Sequence, residues 1–542
     1  MRMRGFITAR HRNELMETVK IAGPVFLSEL MIYLISVVST MFCGHLGKME
    51  LAGVALAISV INVTGISVGT GLAQAYDTLI AQTFGSGNLK RVGVILQRGI
   101  LILLLACCPC WAVLINTESI LLALKQTPEV AHLSQIYVKI FMPALPAFFM
   151  YQLQARYLQN QGIIWPQVIT AVAVNVVNAV INYVLLYYLN IGFVGSAAAS
   201  AISQYCLAAV LCMYICWRRL HKTTWGGWSL DCLQEWGLFI KMAIPSMLMS
   251  CLGWWMFEVG GFLASLISES ELGAQSISFQ LSVIAYMSPV GFSAAASVRV
   301  GSALGAGNIE QAKLSSKVPI ICASMIASVV GTILIIAKNV IGYIFTTEKD
   351  IIQKVAEVMF LFGFIHVADA AVGVAAGVLR GAGKQVIGAL CNLVGYYAIA
   401  LPVGVSLLFT TDMGIFGLWI GFAVSVALQA IFLVLFLFKL NWEKAAEEAL
   451  VTAGIQITEG NEVNQMDSSD KFTLPPTCAN DEEVATYHEA QDPVPNKSTT
   501  VIVGEVLSKR QLIIRRSLTF LLMVFILIAG ILINDFLIKE FK

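Results

Sequence analysis

Long apolar stretches recur along the chain and are separated by short polar loops. A helix needs about 20 mostly apolar residues to cross the hydrocarbon core of a bilayer. The pattern predicts thirteen membrane-spanning helices, near residues 21–43, 51–80, 92–115, 132–158, 168–189, 193–217, 236–267, 272–298, 316–345, 352–379, 386–410, 414–439 and 512–538. The predicted fold class is therefore an all-α polytopic membrane protein.

One long polar segment interrupts this pattern. Residues 441–511 have low hydrophobicity, several acids and prolines at 475, 476, 493 and 495. Segments of this composition bury too little apolar surface to fold, so we expect a disordered cytosolic linker. The thirteenth helix, 512–538, is predicted to be a membrane anchor outside the transport path, held from the inside by Lys509, Arg510, Arg515 and Arg516.

Basic residues are concentrated in alternate loops. They precede the first predicted helix and follow or end the second, fourth, sixth, eighth and tenth, as Arg2, Arg4, Arg10, Arg12, Lys20, Lys90, Arg91, Arg156, Arg218, Arg219, Lys222, Arg299, Lys313, Lys317, Arg380 and Lys384. Cytosolic loops carry an excess of Lys and Arg. We therefore expect residues 1–20 to be a cytosolic N-terminus, residues 218–235 to be a cytosolic linker, and Lys542 to be extracellular in a multi-pass plasma-membrane protein.

The first six predicted helices recur in the next six at a nearly constant offset. At offsets of 220 to 222 residues, Lys20, Ala22, Pro24, Leu27, Glu50, Leu51, Gly85, Gly87, Asn88, Leu158, Gly162 and Gly195 match Lys241, Ala243, Pro245, Leu248, Glu271, Leu272, Gly305, Gly307, Asn308, Leu379, Gly383 and Gly417. Internal duplication of this kind is typical of two-lobed transporters. Because six helices separate the copies, we predict a parallel repeat of two six-helix bundles, 21–217 and 236–440, around a cavity.

The glycine-rich loops FGSGN and LGAGN belong to this repeat. They lack both the Lys-Ser/Thr pair and the flanking strand of a phosphate-binding loop. We predict tight turns in which glycine supplies unusual backbone angles.

Composition narrows the function classes. Apolar residues make up 58% of the 542 residues and charged residues only 12%, with a mean hydropathy of +0.78, whereas soluble domains carry about a quarter charged residues. The net charge of +1 comes without a basic patch and gives no sign of nucleic-acid binding. Most of the twelve cysteines lie in apolar stretches, and no paired CxxC or HExxH pattern occurs. We expect no metal and no cofactor.

The stretch KMAIPSMLMSCLGWWMFEVGGF, residues 241–262, places Glu258 within an apolar helix. A charge at membrane depth costs roughly 2.5–3.5 kcal/mol on insertion scales, so such a residue is a functional candidate. Trp254 and Trp255 share its helix face, and a carboxylate beside aromatic rings suits an organic cation or a proton. The alternative is a Glu that only binds neighbouring helices together. Its repeat partner is Val37, so the scaffold does not require a carboxylate there.

Three other acids lie within predicted helices. Glu29 is a candidate for cation or proton binding, with helix packing as the alternative. Asp77 lies near a helix end, where we expect interfacial exposure or a local hydrogen bond. Asp369 follows His366 by three residues on one helix face, and we favour a functional role over a purely structural pair. Counting 1.5 Å per residue places Glu258 in the outer half of the membrane and Asp369 nearer the middle or inner half.

Polar and aromatic side chains interrupt several otherwise apolar helices. One set is predicted to line the cavity wall of the second lobe, and it consists of Gln280, Tyr286, Asn392, Tyr396 and Tyr397. A second set, Asn175, Asn178 and Asn182, forms a polar stripe along one helix face. These asparagines either line the cavity of the first lobe or donate hydrogen bonds to neighbouring helices.

Several long motifs in sequential order carry a family resemblance. They are FCGHLGKMEL (42–51), INVTG (61–65), CLGWWMFEVGGF (251–262), ELGAQSI (271–277), ASVRVGSALGAGN (296–308), GYIFTT (342–347) and VLRGAGKQ (378–385). On these motifs the chain resembles the multidrug and toxin extrusion family, in particular its vertebrate members, over roughly residues 14–440. The resemblance implies two six-helix bundles and efflux of organic cations in exchange for protons or sodium. It also implies that Glu258 and Asp369 are functional carboxylates, that Trp254 lies near the substrate, and that Cys43 affects substrate access.

The chain departs from the vertebrate pattern close to its central carboxylate. Gly253 and Gln280 occupy positions where relatives often carry glutamates, Glu29 replaces a more usual glutamine, and Asp369 replaces a glutamate. These departures concern the range and affinity for cations and leave the candidate proton site in place.

We predict from the sequence a secondary active antiporter, not an enzyme, that exchanges organic cations for protons by alternating access. Glu258, Asp369 and Glu29 are the predicted coupling residues, and the predicted substrate contacts are Trp254, Trp255, Gln280, Tyr286, His366 and Asn392. We expect a monomer in the lipid bilayer to suffice. The alternatives are sodium coupling, flipping of a lipid-linked substrate and, from another class, a channel or a receptor.

Overall fold

The computed structural model describes residues 9–44, 47–411, 413–455, 503 and 506–541, and these residues form helices joined by short loops. Thirteen helices in this part of the chain are long and apolar enough to cross a membrane: α1 (Ala9–Cys43), α2 (Met49–Gly85), α3 (Leu89–Leu114), α4 (Pro128–Gln159), α5 (Trp165–Tyr188), α6 (Phe193–Trp217), α7 (Trp236–Ser265), α8 (Glu269–Gly305), α9 (Ile309–Ile344), α10 (Lys349–Gly381), α11 (Gln385–Thr410), α12 (Ile415–Lys439) and α13 (Lys509–Leu537). The predicted fold class is confirmed.

Several helices extend beyond their predicted ends. Helix α1 begins at Ala9 instead of residue 21, so most of the predicted N-terminal tail belongs to the helix. Residues 1–8 lie outside the described part of the chain. The added turns bury Glu14 and Thr18. Hydropathy marks only the part of a helix that is apolar, and these polar turns are stabilised by packing against other helices instead of by lipid.

The start of the predicted linker also differs from expectation. A short helix, Trp442–Thr452, follows α12 and buries Trp442, Ala445, Ala446 and Ala449. It packs against α8 and α9 of one half and against α2 of the other. Its narrow alanine face was hidden by the low average hydrophobicity of the segment. Most of the remaining linker, residues 456–502, lies outside the described residues.

The helices form two lobes, each with its own hydrophobic core. The first core is built from helices α1–α6 and contains Tyr76 and Phe149, and Phe239 and Ala243 of α7 reach into it from the second lobe. The second core is built largely from α8–α12 and contains Phe362 and Trp419. Helix α13 packs against α3 on the outside of the first lobe, where Asn116 donates a hydrogen bond to the backbone oxygen of Gly530 at 3.0 Å.

The two lobes meet through helices that the internal repeat relates to each other. Helix α1 packs against α8, its counterpart α7 packs against α2, and α2 packs against α8. We call the side where α1 and α7 begin and α2 and α8 end face A, and the opposite side face B. Near face A, Gly85 lies directly against the backbone of Ser302, and Gly305 lies against the backbone of Gln82. A Cβ atom at either glycine would collide with the opposite lobe.

The two glycine-rich loops are tight turns at face A, as predicted. Gly87 and Gly307, the second glycine of each loop, have φ angles of +79° and +71°. Glycine adopts this left-handed region without the steric cost that a Cβ atom imposes. The repeat is thus preserved at the level of backbone conformation.

Among the described residues, three of the long apolar helices contain a π-helical segment. These segments are Asn62–Ile66 in α2, Val184–Tyr188 in α5 and Leu393–Ala400 in α11. A π-helical turn widens the helix and changes which backbone carbonyls are available to neighbours, and such turns are frequent at functional sites. Two of the three lie beside the candidate site described next.

Candidate functional site

Glu258 lies where α7 of the second lobe crosses α2 of the first. Its Oε2 atom accepts a hydrogen bond from Ser59 Oγ at 2.5 Å. One turn earlier on α7, Trp255 Nε1 donates to the backbone oxygen of Val63 at 3.0 Å. Val63 belongs to the π-helical segment of α2. The candidate carboxylate is therefore bonded directly to the opposite lobe.

The contact between α2 and α7 continues toward face A as a polar seam. Cys251 Sγ lies 3.5 Å from Ser67 Oγ, and Ser250 Oγ donates to Gln74 Oε1 at 2.7 Å. Together with Glu258–Ser59 and Trp255–Val63, these bonds define the α2–α7 seam. Positions three and four residues apart share one face of a helix, so the seam is one face of α7 laid against one face of α2.

The internal repeat shows that this seam is specific to one pair of helices. At the offset of 221 that matches Glu50 to Glu271 and Leu51 to Leu272, Glu258 corresponds to Val37 and Ser59 to Gln280, so the equivalent pair in the α1–α8 contact has no carboxylate. The scaffold can therefore pack its lobes together without a carboxylate. Glu258 adds a carboxylate to one side of the lobe interface only.

The two tryptophans beside Glu258 point to different neighbours. Trp255 is bonded to α2, whereas Trp254 is 41% exposed and meets the ring of Phe279 on α8 edge-on, with centroids 6.3 Å apart. Phe257 packs on the same Phe279 ring at 4.9 Å. An exposed indole face one helical turn from a carboxylate is suited to a flat organic cation.

A second group of predicted site residues lies inside the second lobe. His366 Nδ1 is 3.9 Å from Asp369 Oδ2, which is longer than a hydrogen bond. His366 is fully buried, and no described residue makes a hydrogen bond to either of its ring nitrogens. Tyr286 of α8 lies directly over Gly373, one turn beyond Asp369. Asp369 thus lies beside His366 inside the second lobe, whereas Glu258 is bonded to Ser59 of the first.

Helix α11 lies between α7 and the interior of the second lobe, and its side chains contact both. Asn392 Nδ2 donates to the backbone oxygen of Met249 at 2.7 Å, and Tyr397 Oη donates to that of Leu252 at 3.2 Å. Tyr396 stacks on Phe422 inside the lobe. Asn392 and Tyr397 therefore hold the backbone of α7 just before Glu258, while Gln280 on α8 is exposed.

Asp77 is buried between the two lobes, so of the two expectations, interfacial exposure or a local hydrogen bond, the structure shows the hydrogen bond. Asp77 is 0% exposed and accepts a hydrogen bond from Asn160 at 3.2 Å. Its Oδ2 atom lies 3.6 Å from Arg156 of its own lobe and 3.6 Å from Arg380 of the other. Glu29 on α1 interacts electrostatically with Arg156 and Asp77. The Asp77 carboxylate thus lies between two arginines, one from each lobe.

The three asparagines of α5 bond to α1. Asn175 donates to the backbone oxygen of Met31 at 2.6 Å, Asn178 donates to that of Ile35 at 3.2 Å, and Asn182 donates to Ser39 Oγ. Of the two uses predicted for this stripe, the structure thus shows hydrogen bonding to a neighbouring helix.

Sequence reasoning missed Ser59, Arg156 and Arg380 as parts of these clusters. Serine is common in membrane helices and gives no signal by itself, and both arginines end helices where they resemble loop residues. The repeat offered no help for Ser59, because its counterpart is Gln280 and the counterpart of Glu258 is Val37, so no equivalent pair exists in the other contact. Within the described residues, no group of three or more His, Cys, Asp or Glu is placed to hold a metal ion.

The sequence model of the MatE family matches this chain twice, over residues 24–184 and 245–406. The two matches begin 245 − 24 = 221 residues apart, which is the offset of the internal repeat. The chain belongs to the MatE family. It is thus a membrane transport protein and not an enzyme, as predicted.

Curated relatives match the MatE chain over nearly its whole length. It is 58% identical to multidrug and toxin extrusion protein 1 of Danio rerio, covering 100% of this chain and 93% of the relative. It is 51% identical to multidrug and toxin extrusion protein 2 of Mus musculus, covering 98% and 94%. Multidrug and toxin extrusion protein 1 of Homo sapiens is 48% identical, covering 96% of this chain and 94% of the relative.

Solved structures show the same fold. A crystal structure of a eukaryotic MATE transporter superposes with a TM-score of 0.79 at 31% identity, covering 82% of this chain and all of that one. A mutant form of a MATE transporter from Vibrio cholerae superposes with a TM-score of 0.73 at 16% identity, covering 81% and 100%. The second likeness concerns the fold alone.

Proposed function

We propose that the protein exports organic cations in exchange for protons, and that Glu258 carries the exchange. The observation behind this proposal is the Glu258–Ser59 hydrogen bond, which joins a carboxylate at membrane depth to the opposite lobe. The family membership and the similarity to multidrug and toxin extrusion proteins support the export function in this proposal.

The chemistry of Glu258 allows one positive partner at a time. An ionised carboxylate attracts a cation, and protonation removes that attraction. The exposed indole of Trp254 supplies a cation–π surface next to it. A cation and a proton therefore compete for the same group, which is the requirement for exchange.

The same carboxylate links the exchange to the position of the lobes. Ionised Glu258 is the stronger acceptor for Ser59, since hydrogen bonds to charged groups are about twice as strong as neutral ones. Binding of a cation or a proton weakens that bond and so loosens the α2–α7 seam. In this way occupancy of one group changes the contact between the lobes, as alternating access demands.

The remaining predicted site residues receive supporting roles in this proposal. Asp369 with His366 serves as a second coupling group inside the second lobe, and Glu29 serves the first lobe. Trp254, Gln280 and Tyr286 contact the cation, because they are exposed or partly exposed. Trp255 and Asn392 fix α2 and α11 against α7. We also propose that face A lies in the cytosol and that a monomer in the plasma membrane is functional.

The test is uptake of tetraethylammonium into vesicles with an acidic interior. We expect Glu258→Gln to lower proton-driven uptake by roughly tenfold or more, because the exchanged charge is lost. Glu129→Gln is the matched control, since Glu129 is an exposed acid at the start of α4. Uptake that survives intact in Glu258→Gln would overturn the role of this carboxylate.

Other driving forces distinguish the alternatives. Uptake by the wild-type protein that follows a sodium gradient but ignores a pH gradient would replace the proton by sodium. Movement of a lipid-linked headgroup between leaflets without tetraethylammonium exchange would indicate a flippase. A unitary current without any counter-gradient would indicate a channel.

A further inference from the structure

Two buried glutamates lie at face A in positions that the internal repeat relates. Glu14 is in the first turns of α1, and Glu235 immediately precedes α7. Their numbers differ by 235 − 14 = 221, the offset of the repeat. The side chain of each is only 1% exposed.

Glu14 reaches from the first lobe into the second. Its carboxylate pairs with Arg299 of α8 at 2.5 Å. It also accepts hydrogen bonds from Gln311 Nε2 at 2.5 Å and from Ser315 Oγ at 2.7 Å, both on α9. All of these partners belong to the opposite lobe.

Glu235 makes the reciprocal contact from the second lobe into the first. Its Oε2 atom lies 2.9 Å from Arg91 and 3.0 Å from Arg98, both on α3. Arg91 is the repeat counterpart of Gln311, since 311 − 220 = 91. Glu235 also has a φ of +57°, which is uncommon for a residue other than glycine.

We infer that Glu14 and Glu235 form a two-part lock that holds face A closed and must open in every transport cycle. Glu14 reaches from the first lobe to the second, and Glu235 reaches from the second lobe to the first. The two contacts therefore lie on opposite sides of the axis that relates the lobes. The close contacts of Gly85 and Gly305 lie between them. Movement of the lobes away from each other at face A strains both pairs together.

The lock opens only when water reaches it. Removing one partner from a buried ion pair leaves an uncompensated charge, which is strongly unfavourable. Separation of the lobes therefore requires that the carboxylates and guanidinium groups be hydrated as they part. The short helix Trp442–Thr452 covers this place, and Arg91 donates to its Thr452 backbone oxygen at 3.2 Å.

The test is amide hydrogen exchange, followed by mass spectrometry, on the full chain in lipid nanodiscs. We expect Glu14→Gln to raise amide hydrogen exchange by roughly tenfold in the first turns of α9, which contain partners of Glu14. We expect an equal rise at the start of α3, which contains the partners of Glu235. Glu235→Gln should do the same from the other side. Glu17→Gln is the matched control, because Glu17 forms a surface pair with Lys20 on the same helix.

A purely local role for these glutamates gives a different result. Faster exchange confined to the partners of the substituted glutamate, or no change in either segment, would overturn the lock. As a second variant, Glu14→Arg combined with Arg299→Glu restores an ion pair and should return both segments toward wild-type exchange. If both segments of that variant stay as exposed as in Glu14→Gln, the lock is wrong.

This inference does not depend on which ion drives transport. Hydrogen exchange at face A reports lobe separation, whereas vesicle uptake reports coupling. One outcome separates the two proposals. If Glu258→Gln leaves proton-driven uptake intact, the proposed function fails. If amide hydrogen exchange still rises in both α3 and α9 after either glutamate is substituted, the lock stands.

Discussion

At the scale of single residues, the chain places its charges at contacts between helices. Glu258 was recognisable from the sequence because a carboxylate in an apolar stretch is costly. Its partner was not, since Ser59 lies 199 residues away on a helix of the other lobe. The burial of Asp77 was not visible in the sequence for the same reason, because Arg380 reaches it only after the lobes have packed.

Ser59 is expected to act on the movement of the lobes and not on substrate binding. Ser59→Ala removes a hydrogen bond to a charged group, worth about 1.5–3 kcal/mol. We expect the maximal rate of proton-driven tetraethylammonium uptake to change by roughly tenfold, with KM altered less than about twofold, since 1.4 kcal/mol corresponds to a factor of ten.

The control for this measurement is Ser276→Ala, because Ser276 is exposed and donates to the backbone of its own helix, at Leu272. A rise in KM with an unchanged maximal rate would show instead that Ser59 positions the carboxylate for the substrate.

At the scale of helices, hydropathy located the thirteen helices that are long and apolar enough to cross a membrane in the described part of the chain, but it could not define where those helices end. The first turns of α1 and the short helix Trp442–Thr452 are too polar on average to be recognised. Each is stabilised by an interface that forms only in the folded protein. The π-helical segments beside Trp255 and Tyr396 likewise left no signal in the sequence.

Two glycines allow close helix contacts with different predicted importance. Gly85 packs on the backbone of α8 across the lobe interface, whereas Gly530 packs on the backbone of Ala112 and joins α13 to α3. Because only the first contact closes face A, we expect Gly85→Val to reduce transport by roughly tenfold or more, as overpacking costs about 1–3 kcal/mol. Gly530→Val should leave the transport rate within about twofold of wild type, since α13 lies outside both lobe cores.

Vesicle uptake and surface expression of both glycine variants provide the measurement. Equal loss of transport in the two correctly inserted variants would contradict the expectation that α13 is only an anchor.

At the scale of the whole molecule, the duplicated frame is readable directly from the amino-acid sequence. Matching residues at a constant offset predicted two lobes of six helices, and the two matches of the family model confirm that offset. What the sequence could not show is that the repeat is uneven at the interface. The α2–α7 seam contains the carboxylate of Glu258, whereas the equivalent position in the α1–α8 contact is Val37. In contrast, the repeat-related glutamates Glu14 and Glu235 occupy equivalent positions, and each pairs with arginine of the opposite lobe.

The most direct test of the central claim is a measurement of proton movement itself. Purified protein is placed in liposomes that contain a pH-sensitive dye, and tetraethylammonium is added outside. Exchange through Glu258 predicts that the internal pH rises as the cation enters, and that Glu258→Gln abolishes this rise while Glu129→Gln does not. Entry of tetraethylammonium through the wild-type protein with no change in internal pH would contradict the account.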